Sequence, residues 1–279
     1  MNAYSCLNEA EFQRVSDGKL GSLLQSCHSS RWTLALVWPV LGDFDTLEYA
    51  WWLQRERPYI EAANIQVRAV AIGDRTAGQK FCDYTGFPPE HLYIDPTAAI
   101  HRQLSLYKGL SVSFPGLSTR QSGYLNLLLM CAGIGSPGTL KEVFRGYIGD
   151  RSAPQLISDD EVIKAKPLPA LSGDAFKLAG GKGFQRPFEL ATLRLRNMSE
   201  VLSNWQTYMP DAMYLTQRGA TFLIGASSGS APEIVYEWRD HNILGFAENM
   251  SDPLSFLENY VADYRQAADG KPIATSRAI

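Results

Sequence analysis

The chain has 279 residues, 45% apolar and 20% charged, with a formal net charge of -3 and a pI near 5.9. That composition fits one large globular domain or two small ones, and it excludes the clustered Lys/Arg surface that nucleic-acid binding needs. The longest apolar run, Leu125 to Ile134, is half the ~20 residues of a membrane-spanning helix, which leaves at most peripheral contact with a membrane.

Cys6, Cys27, Cys82 and Cys131 form no C-x-x-C. The N-terminal MNAYSCLNEAEF has neither a basic nor an apolar leader region, so reduced thiols in a cytoplasmic setting are expected. His28, His91, His101 and His241 pair with no cysteine or second histidine at helical spacing, and neither a metal nor another cofactor is expected.

In chain order, Glu9 to Ser26 reads as a helix, with Phe12, Val15, Leu20, Leu23 and Leu24 on one face and Gly18 interrupting it. Trp32 to Trp38 is a buried strand ending at Pro39. Asp45 or Thr46 can cap the helix that runs on to about Ala62, with Pro58 expected to bend or end it. Ile65 to Ile72 is the next strand, Thr76 to Thr85 a short helix, Leu92 to Ile94 a short strand, and Ala98 to Leu106 a helix. This β-α-β-α-β order calls for parallel strands with right-handed crossovers.

A long stretch, about 110–215, breaks the alternation. It opens in a Gly/Ser/Pro-rich loop and contains a helix from Ser136-Pro137 to about Tyr147, an irregular run, and a second helix from Pro187 to Tyr208. Loop-rich segments of this length are functional or form docking surfaces. Thr221 to Ile224 and Ile234 to Trp238 then read as a hairpin, followed by a helix from Asp252-Pro253 to about Tyr264 and a disordered tail from Ala267. The fold class is α/β and thioredoxin-like. Residues 1–109 and 216–266 form the mixed-sheet domain, 110–215 the helical and irregular insert, and 267–279 the tail.

Three chemical motifs fail in context. Gly133-Ile134-Gly135-Ser136-Pro137-Gly138 matches G-x-G-x-x-G with Asp159 downstream. The run before it is as good a helix as a strand, which favours two helices joined by a Gly-rich turn. Gly225-Ala226-Ser227-Ser228-Gly229, with Asp240 and His241 after it, matches a nucleophile elbow, but a strand follows where a helix is required. Gly180-Gly181-Lys182-Gly183 lacks the Ser/Thr and the first Gly of a phosphate loop.

The remaining candidate is the strand-to-helix turn in LVWPVLGDFDTLEYAWWL. Together with IQVRAVAIGD, LYIDP and the hairpin RGATFLI…IVYEWRD, it resembles the peroxiredoxin-like branch of the thioredoxin superfamily, the alkyl hydroperoxide reductase/thiol-specific antioxidant type. The resemblance covers about residues 20–108 and 216–265. In that branch the turn reads G-C-x-x-C-x-E; the chain has Gly42, then Asp43 and Thr46 at the two cysteine positions, then Glu48. In the typical peroxiredoxin register Glu48 itself falls at the reactive cysteine. Arg218 resembles the arginine that the family places beside that thiol.

The resemblance therefore implies a cysteine-free variety of a redox fold, of the kind associated with cyanobacteria and chloroplasts. Its expected role is non-catalytic: an assembly or regulatory partner, cytoplasmic or stromal, linked to a photosynthetic complex. A carboxylate at a helix N-terminus has a complete structural role as a cap. The alternative is thiol chemistry at a non-standard cysteine, Cys27 or Cys82. Arg145, Tyr147, Arg151, Arg194 and Arg196 in the insert are the candidate partner contacts, because Arg and Tyr are enriched at interface hot spots.

Overall fold

The computed structural model describes residues 2–27, 30–145, 153, 155–164, 169–178, 185–225 and 232–268. Its centre is a seven-stranded mixed sheet in the order β2-β1-β5-β4-β3-β8-β9. The N-terminal strands are β1 (Glu11–Arg14), β2 (Leu20–Ser22), β3 (Trp32–Val40), β4 (Ile65–Ile72) and β5 (Leu92–Ile94). The C-terminal hairpin is β8 (Ala220–Gly225) and β9 (Glu233–Arg239). β3, β4 and β5 are parallel neighbours, while β8 pairs antiparallel with β3 and with β9.

The crossover helices are α2 (Phe44–Ala62) and α3 (Arg75–Thr85), with α1 (Ala3–Glu9) and α4 (Ala99–Gln103) on the other face of the sheet. α2 runs through Pro58 to Ala62 rather than ending there. Proline removes one ladder bond, and burial of Ile60 in the core holds the last turn in place. α10 (Glu258–Ala268) starts later than Pro253. Pro253 instead lies in a turn closed by Ser255 N donating to Asp252 O at 3.0 Å.

The expected helix over Glu9 to Ser26 is incorrect: the segment is the hairpin β1–β2, which extends the sheet beyond β5. The cause is Asp17-Gly18. Gly18 takes φ +74°, and Arg14 Nε donates to Asp17 Oδ1 at 3.0 Å across the turn. An Asp-Gly pair favours a tight turn, because Gly reaches positive φ without steric cost.

The insert region holds α5 (Thr119–Cys131), α6 (Thr139–Phe144), the small hairpin β6 (Val162–Ile163) and β7 (Leu171–Ser172), α7 (Gly173–Phe176), α8 (Gln185–Ser203) and α9 (Trp205–Tyr208). The apolar run before Gly133 is helical, started by a reciprocal Ser118/Gln121 capping box. Gly133, Gly135 and Gly138 all have positive φ in the turn between α5 and α6, so this G-x-G-x-x-G follows no strand. Of the other two motifs, residues 226–229 and 180–183 lie outside the described residues, as does the tail from 269 onward.

Phe176, Leu190, Leu193, Val201 and Tyr208 share one buried cluster with β3, β4 and α2. The insert is thus packed into the main core rather than hung from it. Among the described residues, no helix is long and apolar enough to cross a membrane.

Candidate functional site

β3 delivers the chain to Gly42 at the edge of the sheet, and α2 begins two residues later. Asp43 is the N-cap: its Oδ1 accepts from Asp45 N at 2.9 Å. Such a cap contributes about 0.5–2 kcal/mol and meets the positive end of the helix dipole. A Cβ on Gly42 would lie 2.7 Å from Tyr208 Cβ and 2.9 Å from Met209 Cε, so glycine is what lets the end of the insert approach this turn.

Antiparallel pairing of β3 with β8 sets Val37 opposite Ala220. It therefore brings Arg218, two residues before β8, beside the start of α2. The Arg218 side chain is fully buried. Its Nη2 donates to Asp43 Oδ2, and its Nη1 pairs with Asp45 Oδ2 at 3.5 Å. Asp45 Oδ2 also accepts from Gly245 N at 3.2 Å. Asp240, at the end of β9, accepts from Gly219 N at 3.1 Å.

One turn into α2, Glu48 is 1% exposed and its Oε2 pairs with Arg194 Nε at 3.0 Å. Arg194 Nη2 reaches Glu142 Oε1 at 3.5 Å. Arg145 Nε donates to Glu142 Oε2 at 2.7 Å, and its Nη1 donates to Ser251 Oγ at 2.7 Å. Five carboxyls (Asp43, Asp45, Glu48, Glu142, Asp240) thus meet three guanidiniums (Arg145, Arg194, Arg218).

Burial, and then the Asp43 charge, hold the Asp45 carboxyl well above its ordinary pKa. Burial pushes Asp240 up to about 7, with Arg218 and the Gly219 N–H opposing it. The raised pKa values of Asp45 and Asp240 both lessen the excess of negative charge in the cluster.

Asp240 gives a pH prediction. A carboxyl raised in the folded state contributes stability that is complete below about pH 4 and is lost as pH rises toward 7. Asp240→Asn keeps an acceptor for Gly219 and does not titrate. The stability of the native protein relative to this variant is expected to fall by up to about 4 kcal/mol between pH 4 and 8 in urea titrations. A pH-independent difference would contradict the burial of a titrating Asp240.

Between Trp38, Asp45, Thr46 and Asp240 the remaining cavity is about 10 Å³, the space of a single water, so no disulfide or organic hydroperoxide fits there.

The structure brings Gly42, Asp43, Thr46, Glu48 and Arg218 together at one junction. Arg194 is turned inward onto Glu48 and is not a surface contact, and Arg145 is tied to Glu142. Arg196 is half-buried, lying over the Tyr84 ring at 5.0 Å. Tyr147 and Arg151 lie outside the described residues. Sequence reasoning missed Glu142 altogether, read Asp45 only as a cap, and read Asp240 only as part of a false triad.

The chain matches the family model for the AhpC/TSA antioxidant enzyme over residues 52–242. It belongs to the AhpC/TSA family. A comparison with curated proteins finds no match. The AhpC/TSA match begins inside α2, after the turn, and runs through the insert to Arg218 and Asp240.

Peroxide reduction and disulfide exchange in a thioredoxin fold require a thiolate, stabilised by a cation or a helix N-terminus. In this AhpC/TSA chain the cation is present as Arg218, but its partners are carboxylates. Cys27 and Cys82 are buried, and burial raises the pKa of both thiols, that of Cys82 to about 12. Cys131 is exposed; burial of its surroundings and the Asp43 charge raise its pKa while Arg218 lowers it.

Proposed function

We propose that this AhpC/TSA member acts by binding a protein partner and carries out no thiol chemistry at the strand–helix junction. The observation that carries this reading is the ion-pair cluster. Of the positions where the alternative registers put a thiol, Asp43 and Glu48 pair with Arg218 and Arg194, and Thr46 is buried. Neither carboxylate can be oxidised and re-reduced.

The insert, 110–215 in this reading, supplies the partner surface. Leu128 on α5, Leu140 and Phe144 on α6, and Leu117 and Ile134 in the segments just before each helix are all exposed. Exposed apolar side chains grouped in this way mark interaction surfaces more often than isolated ones do. An assembly or regulatory role in a photosynthetic complex, in a cytoplasmic or stromal setting, is part of the same proposal and rests on family resemblance.

The test is affinity capture from native extract with the intact protein and a Leu128→Glu/Phe144→Glu variant. A partner held at stoichiometric levels by the intact protein and lost with the variant, at unchanged circular dichroism, is the expected result. Identical capture by both proteins would contradict the assignment of the surface. A second reading, a thiol-dependent reductase, has one observation in its favour, the exposure of Cys131, while burial and the Asp43 charge raise the pKa of that thiol.

A further inference from the structure

A sizeable cavity lies at the opposite end of α2 from the ion-pair cluster, between its C-terminal half, the start of β4 and the segment leading into β5. Its volume is about 330 Å³, within the roughly 300–1,000 Å³ range of small-molecule sites. Leu53, Ile60, Ile65 and Phe87 line it and are nearly fully buried, which gives it an apolar floor. Gln66, Ser30, Asn64 and His91 line its polar side, and the rim carries Glu61, whose charge is paired with Arg57 at 2.6 Å.

Behind that polar side stands Arg68, which is 6% exposed. Its Nη1 donates to Val67 O at 3.2 Å, and its Nε has no partner. No carboxylate pairs with it among the described residues. With the amide of Gln66 oriented to satisfy both neighbours, its oxygen accepts from Arg68 Nη1 at 2.9 Å and its nitrogen donates to Ser30 Oγ at 3.0 Å. The positive charge is thereby relayed to the cavity wall. Burial and the Arg68 charge lower the pKa of His91 to about 4, so its imidazole is neutral and can donate one hydrogen bond. A buried cation with no counter-charge, beside an apolar cavity, is costly unless an anion compensates it.

We propose that this cavity binds a small carboxylate with a compact apolar body, the body on Leu53, Ile60 and Phe87 and the carboxylate toward Gln66, His91 and the charge of Arg68. The site is independent of the junction cluster and of the partner surface.

The experiment is a ¹H–¹⁵N NMR titration of the full chain with phenylacetate, phenylacetamide and phenethylamine. Phenylacetate is expected to shift the amides of Leu53, Val67 and His91 and to bind at least about tenfold more tightly than phenylacetamide, since a hydrogen bond to a charged group is worth that much. Phenethylamine is expected not to bind. Ile60→Trp fills the cavity and is expected to abolish the shifts. Arg68→Met removes an unpaired charge, so it is expected to fold at least as well as the native protein. It should bind phenylacetate no better than the amide. Absence of phenylacetate shifts at millimolar concentration, equal binding of all three probes, or a preference for phenylacetate retained by Arg68→Met would overturn the proposal.

Discussion

Arg218→Met is expected to cost roughly 3–5 kcal/mol of folding stability, the usual penalty for leaving a buried charge without its partner. The side chain is fully buried, and two carboxyls, Asp43 and Asp45, depend on it. Removing the guanidinium leaves both in a dry site, where they can only protonate. The folded-state pKa of Asp45, which Arg218 holds down against burial, then rises further, so the loss is smallest below about pH 4 and grows as the pH rises. Combining Arg218→Met with Asp43→Asn and Asp45→Asn should recover most of the stability, because an uncharged set of similar shape is often neutral or better. Urea unfolding of the three proteins at pH 4 and pH 8 provides the measurement. A loss below about 1 kcal/mol for the single variant, the range of an exposed pair, would mean that the cluster is not buried as described.

Arg194→Met has the second-largest expected effect, roughly 2–4 kcal/mol, and it should act locally as well as globally. Glu48 is 1% exposed and Arg194 is its ion-pair partner, whereas Glu142 keeps Arg145. With the pair broken, α8 retains the burial of Leu190, Leu193 and Val201 but loses its polar anchor on α2. Hydrogen exchange should therefore speed up across α8 more than across β8 and β9, which remain hydrogen-bonded into the sheet. Uniform acceleration across the whole chain would show that the insert and the sheet unfold as one unit.

The parts of this fold that were legible in the sequence are local. Apolar runs closed by Pro or Gly marked β3, β4 and β5, and the order of elements gave the mixed sheet. The run Asp43 to Thr46 announced a capped helix start, with the cap on Asp43 rather than on Asp45 or Thr46, and the turn's partial match to G-C-x-x-C-x-E marked a junction without cysteine. The error at Glu9 to Ser26 shows how a local signal can compete with another. Phe12, Val15 and Leu20 have helix-like spacing, but Asp17-Gly18 makes a hairpin, and pairing of β1 with β5 decides the outcome.

The cluster was illegible for a different reason. Glu48 and Arg194 are 146 residues apart, and Asp45 and Arg218 are 173 apart. No periodicity links such positions; only the antiparallel pairing of β3 with β8 and the docking of α8 on α2 bring them together. A surface role for Arg194 was a fair expectation for an arginine on an amphipathic helix, since nothing within its own turn of helix signals a buried glutamate across the fold.

The central claim, that this AhpC/TSA member has exchanged a thiol site for a closed ion-pair cluster, is tested most directly by peroxide consumption. The intact protein and a variant with Cys6, Cys27, Cys82 and Cys131 all replaced by serine are each assayed with hydrogen peroxide and a dithiol reductant. The expected result is the same background rate for both, with no turnover attributable to either protein. Turnover by the intact protein that disappears in the serine variant would contradict the claim and return the function to thiol chemistry.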